Sequence, residues 1–161
     1  MNDYIIRNGE KEDLKEVLSM ITELAKFERA ENQVQTTLTQ LEEDGFGDNK
    51  AFEFLIVKKD DVYCGFALYY RGYSTWKGAT LYLEDFMIRE KFRNQGLGSL
   101  LFKEIVNIAI KNKVKRLDWQ VLEWNKSAIN FYNKQKASLE NQWLNGRLYE
   151  KDLKEINNES I

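Results

Sequence analysis

Residues 79–122 run through an apolar strand, a turn with two glycines, an amphipathic helix and a second strand, and this succession leaves few folds open. The first strand is expected over 79–88 and the helix over 98–113, where Leu101, Ile105, Ile108 and Ala109 recur at helical spacing. The second strand is expected over 115–122, with Leu117, Trp119 and Val121 alternating against Asp118 and Gln120. Strand, helix and strand in this order form a right-handed crossover between parallel neighbours. A parallel pair near the centre of a mixed sheet follows.

The remaining segments add antiparallel strands and helices around that pair. Residues 4–7 read as a short strand, and Leu14, Val17, Leu18, Ile21, Leu24 and Ala25 form the buried stripe of a helix ending near Phe27 and Glu28. A second helix is expected over 38–43, closed by Asp44-Gly45-Phe46-Gly47. A hairpin follows, with strands over 51–58 and 62–70, and residues 71–78 read as a loop. Asn125 or Ser127 can cap a helix over 128–135. Two short strands are expected around Asn145-Gly146, and the tail 154–161 is expected to fray. The order βααβββαβαββ is that of a mixed-sheet α/β (α+β) domain, and with no repeat or linker the chain 1–161 reads as one domain.

Within the strand at 79–88, Leu81 and Leu83 share one parity while Phe86 and Ile88 have the other. The phase change falls at Glu84-Asp85. It fits a β-bulge there, and it equally fits a regular strand buried on both faces.

Composition removes several chemistries. The chain has no histidine, which takes away the commonest general base and the commonest metal ligand, so proton transfer falls to carboxylates, Tyr, Lys or water. Cys64 is the only cysteine, so no intrachain disulfide and no cysteine-based zinc site can form; its apolar surroundings suit a buried, inert thiol. No metal is expected. With 24 basic and 26 acidic residues the net charge is -2, which gives no field for nucleic acid or an anionic membrane but suits a small cationic substrate. No leader pattern or span of about 18 apolar residues occurs, and a cytoplasmic protein is expected.

The run Arg93, Asn94, Gln95, Gly96, Leu97, Gly98, Ser99 follows a strand and opens a helix. Without Cβ atoms at Gly96 and Gly98, phosphate oxygens can approach backbone N–H groups at the positive end of a helix dipole, and Arg93 adds a charged fork. A plain glycine turn capping a helix is the alternative.

This run resembles the R-x-x-Q/G-x-G/A motif of the GNAT superfamily of N-acetyltransferases. Further segments resemble its diamine acetyltransferases, the spermidine/spermine and thialysine branch: LAKFE at 24–28, EDGFGDN at 43–49, YSTWKG at 73–78, LYLEDF at 81–86, Trp124-Asn125 and Asn130-Phe131-Tyr132. The resemblance implies the GNAT fold, a mostly antiparallel sheet with a splayed parallel pair flanked by helices. It implies acetyl-CoA as co-substrate. Phe86, Met87 and Ile88 would pair with the pantetheine arm, Arg93 to Ser99 would hold the pyrophosphate, and Asn125 and Tyr132 would border the cofactor. Glu84 would be the base, directly or through water, Tyr132 the proton donor to the departing thiolate, and Phe27, Glu28 and Glu84 would meet the amine. By residue chemistry alone, Glu31 and Asp85 would add negative charge for a cationic amine, and Phe27, Trp76 and Tyr82 aromatic walls; of these residues only Phe27 and Glu28 match substrate positions of the family. A homodimer is expected by the same analogy.

Two positions depart from the family pattern. Lys136 stands before Ala137 where the family usually has glycine, and no acidic residue lies near Trp143-Leu144-Asn145, where polyamine acetylators carry them. Together with YSTWKG this tilts the expected acceptor towards a short amine or a lysine-like one. The competing readings are an acetyltransferase for a peptide, protein or aminoglycoside amine, and a non-catalytic acyl-CoA-binding domain.

Overall fold

The structure is a computed structural model that describes residues 4–158. It divides into two compact units, Met1–Gln120 and Val121–Ile161.

The first unit carries a five-stranded sheet in the order β1-β2-β3-β4-β5. Its strands are β1 (Tyr4–Asn8), β2 (Glu53–Lys59), β3 (Val62–Ser74), β4 (Gly78–Ile88) and β5 (Arg116–Asp118). Pairing is antiparallel from β1 through β4, and β4 and β5 are parallel, as the strand-helix-strand succession requires. The helices are α1 (Leu14–Phe27), α2 (Leu38–Phe46) and α3 (Leu97–Lys111).

Alternation along the strands divides the apolar residues between two faces. On one face Phe54, Ile56, Phe66, Leu68 and Met87 pack with Leu14, Val17 and Met20 of α1 and Leu41 of α2. On the other, α3 buries Leu97, Leu101, Phe102 and Ile105, and the Phe102 ring meets Phe86 edge-on at 5.9 Å. Each fully buried side chain of this size stabilises the fold by about 1.5–3 kcal/mol. Gly65 keeps β3 close to the end of β4, because a Cβ there would lie 2.3 Å from the Met87 carbonyl oxygen. Arg89 then ties that end to α1, with Nη2 2.7 Å from Glu23 and Nη1 donating to the Tyr63 carbonyl at 3.0 Å.

The start of α1 is fixed by a second network. Asp13, 2% exposed, accepts two hydrogen bonds from Arg7, one from the Tyr63 hydroxyl at 2.7 Å and one from the Glu10 amide at 2.8 Å. Burial alone would raise the Asp13 carboxyl, but these donors bring it below the ordinary aspartate value. Cys64 is buried, and its thiol is pushed up by that burial, in keeping with an inert role.

Several element boundaries differ from expectation. Residues 71–78 are mostly strand rather than loop: β3 continues to Ser74 and β4 starts at Gly78, leaving a tight turn that holds Trp76. The last strand of the crossover is Arg116–Asp118 rather than 115–122, because its ladder with β4 ends at Tyr82–Asp118.

In the second unit, α4 (Lys126–Lys134) is capped by Asn125, whose side chain accepts from the Ala128 amide at 3.1 Å. Lys136 takes φ +63, the left-handed conformation that glycine tolerates best, where the family usually has glycine. The two strands around Asn145-Gly146 are absent: residues 138–149 carry no strand, and Gly146 is not among the glycines with positive φ. The hairpin turn that this dipeptide favours is not made. A helix, α5 (Glu150–Asn158), replaces the fraying tail as far as residue 158. Residues 159–161 of that tail, and 1–3 of the N-terminal stretch read for a leader, lie outside the described residues.

Candidate active site

The site is built from a fault in the β3–β4 ladder. Leu68 pairs with Asp85 and Tyr69 with Leu83, so Glu84 has no partner and is the bulged residue. This is the phase change at Glu84-Asp85, in the bulge form. Tyr82 and Glu84 share a face before the bulge, and Asp85, opposite Leu68, falls on that face too. Leu81, Leu83, Phe86 and Ile88 consequently keep the α3 face, while Glu84, Asp85 and Met87 look towards α1.

Two consecutive carboxylates on one face, with a third nearby, make an electrostatically strained cluster. Burial first, then the charges of Glu84 and Glu28, push the Asp85 carboxyl up to about 7. Glu28 is the residue where α1 ends, and burial raises its carboxyl as well. Tyr70 lies on the same face, opposite Tyr82, and its ring stacks on that of Tyr82 with centroids 5.2 Å apart. Burial and the Glu84 charge push that phenol up to about 12. Among the described residues no group of three or more His, Cys, Asp or Glu side chains is arranged to hold a metal ion.

Beyond the bulge, β4 runs past the end of its ladder with β5. The parallel ladder with β5 covers Thr80, Leu81 and Tyr82, whereas Phe86, Met87 and Ile88 pair with Ala67, Phe66 and Gly65 of β3. Asn94 and Gly96 then take φ +60 and +81, and Gly96 is the residue at the N-terminus of α3. A Cβ added at Gly96 would meet nothing within 4 Å, so the helix end is open to a ligand. A strand edge that the β5 ladder does not reach, followed by a helix N-terminus with open space at Gly96, fits an extended chain ending in a pyrophosphate, which is the shape of CoA.

The predicted residues are therefore divided. Glu28, Glu84 and Asp85 come together in the first unit, as do the strand edge Phe86, Met87 and Ile88 and the loop from Arg93 to Ser99. The Arg93 Nε donates to the Ile88 carbonyl at 2.8 Å and its guanidinium lies 5.4 Å from the centroid of the Phe27 ring, so Phe27 packs on the loop. The Gln95 side chain accepts from the Tyr4 hydroxyl at 2.8 Å and donates to the Lys91 carbonyl. Trp76 is exposed in its turn, and Glu31 starts a single helical turn after α1. Asn125 and a buried Tyr132 belong to α4 of the second unit. Sequence reasoning missed Tyr70, whose place at the site depends on strand register.

This combination of fold, bulge and open helix end defines an acyl-CoA-dependent transferase. The sequence profile of the Acetyltransferase (GNAT) family matches residues 17–136, and the chain belongs to that family of acetyl-CoA-dependent acetyltransferases. It is 32% identical over 162 residues to a thialysine N-epsilon-acetyltransferase of Mus musculus, covering 94% of this chain and 95% of the relative. With the Caenorhabditis elegans thialysine N-epsilon-acetyltransferase it shares 37% identity over 133 residues, 83% of this chain and 82% of the relative. Among solved structures, an integron cassette protein from the mobile metagenome of V. cholerae superimposes with a TM-score of 0.79 at 22% identity, covering 99% of each chain.

Proposed function

We propose that the protein transfers acetyl from acetyl-CoA to the primary amine of a small cationic substrate, a diamine, polyamine or thialysine-like molecule, by direct attack in a ternary complex. The bulge carries this reading: it sets Glu84 and Asp85 side by side near Glu28 and just before the Phe86 to Ile88 stretch of β4. A cation entering that cluster offsets carboxylate repulsion that the protein otherwise bears, which favours an ammonium over a neutral ligand. The named activity of the thialysine relatives agrees with it.

An alkylamine with a pKa of about 10 must lose a proton before it can attack. Glu84, exposed at the bulge, accepts that proton directly or through one water. Glu28 holds a second ammonium at a distance. Acetyl-CoA supplies the activated thioester. The chain holds it with the backbone of Phe86, Met87 and Ile88, the Asn94 to Ser99 amides and Arg93, bordered by Asn125. Tyr132 returns a proton to the departing thiolate, whose thiol has a pKa of about 8.5. The domain is taken as single, since the family match runs through both units. A cytoplasmic homodimer completes the proposal, with Trp143, Leu144, Leu153 and Ile156, all exposed in the second unit, as apolar surface for a second copy to cover.

The test is a panel of diamines, thialysine, lysine, peptide amines and aminoglycosides, read as release of the CoA thiol. Turnover is expected with a diamine or thialysine, and its absence for all of these while another amine is acetylated would overturn the substrate class. Glu84→Gln is expected to lower kcat by about 10²- to 10⁴-fold with acetyl-CoA affinity unchanged.

A further inference from the structure

We propose that Phe27 is a positioning residue for the acyl-CoA loop: its ring, at the end of α1, holds the Arg93 guanidinium in the pose that receives the pyrophosphate. The inference rests on the reading of Arg93 to Ser99 as the pyrophosphate loop. It gives Phe27 a task on the donor side of the reaction rather than the amine side.

Two arginines stand four residues apart beyond the end of β4, and their contacts differ in kind. Arg89 is taken up by the fold: Nε and Nη2 donate to Glu23, Nη1 donates to the Tyr63 carbonyl at 3.0 Å, and Nη2 also reaches Glu16 at 3.4 Å. Arg93 is held at one nitrogen. Its Nε donates to the Ile88 carbonyl at 2.8 Å, and among the described residues no hydrogen bond or ion pair engages its Nη1 or Nη2. Those two terminal nitrogens form the charged fork that suits phosphate oxygens.

A fork on a long side chain binds poorly unless its orientation is set beforehand, because each free rotamer must be given up on binding. The bond to Ile88 sets the near end of the guanidinium. The Phe27 ring, with its centroid 5.4 Å from the guanidinium carbon, covers one side of it. That separation is inside the roughly 6 Å over which a ring face attracts a cation. Phe27 itself rides on a closed helix end: the Glu28 amide donates to the Leu24 carbonyl at 2.9 Å, the Arg29 amide to Lys26 at 3.1 Å and the Ala30 amide to Ala25 at 2.9 Å. Arg29 makes this closure in the left-handed conformation, φ +60, that commonly ends helices. The ring is 42% exposed, so core packing does not impose its contact with Arg93 and its replacement leaves the fold intact.

The test is equilibrium binding of CoA to the full chain without any amine, a measurement in which an amine wall has no part. Phe27→Leu keeps an apolar side chain and removes the ring face; it is expected to raise the Kd for CoA about 2- to 5-fold, with Tm within error. Phe27→Tyr keeps a ring face and is expected to bind CoA as the wild type does. Arg93→Ala is expected to weaken CoA about 10-fold or more, and adding Phe27→Leu to it to cost nothing further. Wild-type CoA affinity in Phe27→Leu, an equal loss in Phe27→Tyr, or full additivity in the double variant overturns the proposal. The two Phe27 variants decide it even where Arg93→Ala does not fold. If Arg93→Ala binds CoA as the wild type does, the reading of the loop falls and this inference with it. If Arg93→Ala is weakened and Phe27→Leu is not, only the role of Phe27 falls.

Discussion

Two clusters in the first unit use the same residue types in opposite ways. At the start of α1 a buried Asp13 is surrounded by donors, with Arg7, Tyr63 and the Glu10 amide all directed at its oxygens. At the bulge Asp85 is surrounded by acceptors, Glu84 beside it and Glu28 at the end of α1. One cluster lowers its aspartate and the other raises its aspartate to about 7. A satisfied cluster contributes stability and has no remaining capacity for a ligand. A frustrated one costs stability and is relieved by a cation or a proton, which is what an amine-handling site requires.

That difference can be broken at each aspartate. Asp13→Ala leaves Arg7 without its partner and is expected to destabilise the protein by about 3–5 kcal/mol in urea unfolding, with acetyl-CoA affinity intact below the transition. Asp85→Asn is expected to act in the other direction, stabilising by about 1–3 kcal/mol at pH 8 and hardly at all at pH 4.

The sign follows from proton counting. Asp85 is raised in the fold, so the folded state holds its proton through the window between the ordinary aspartate value of 3.8 and about 7, and stability falls as pH rises across that window. Asp13 is lowered in the fold, so its contribution is present above the unfolded value and is lost as pH falls through the folded one. A wild-type stability curve that declines from pH 4 to 7, and flattens in Asp85→Asn, would sharpen the contrast. An identical decline in both proteins would break it.

The smallest effect compares the two tyrosines. Tyr63→Phe removes a donor from a buried carboxylate and is expected to cost about 1–2 kcal/mol. Tyr70→Phe, at an exposed residue, is expected to cost under about 0.5 kcal/mol, read by the same unfolding assay. Equal costs would mean that the Tyr70 hydroxyl serves the fold.

How much of this was legible in the sequence follows from the range of each interaction. The parallel pair and the bulge are local patterns: Leu81 and Leu83 against Phe86 and Ile88 already mark the change of phase. The open glycine at the start of α3 could be read in the same way. Tyr70 could not, because its place beside the bulge depends on which residue of β3 faces Tyr82, and the bulge itself resets that register. The C-terminal hairpin failed for a related reason. Asn145-Gly146 favours a turn, but a turn does not create strands, and Trp143 and Leu144, 75% and 99% exposed, find no apolar face there to pack on. The missing family glycine was visible as Lys136, while its consequence, a lysine at φ +63, needed the backbone.

Glu84 has one more property, which concerns heredity rather than chemistry. Leu83 pairs with Tyr69 and Asp85 with Leu68, so the ladder is in register on both sides of Glu84 and counts as though that residue were absent. In terms of the gene, the proposed base is a one-codon insertion in an otherwise regular strand. Deleting it would return β4 to simple alternation without moving any apolar side chain to the wrong face. A deletion variant that keeps its far-ultraviolet circular dichroism while losing turnover would show that the reaction and the fold are separable at a single residue.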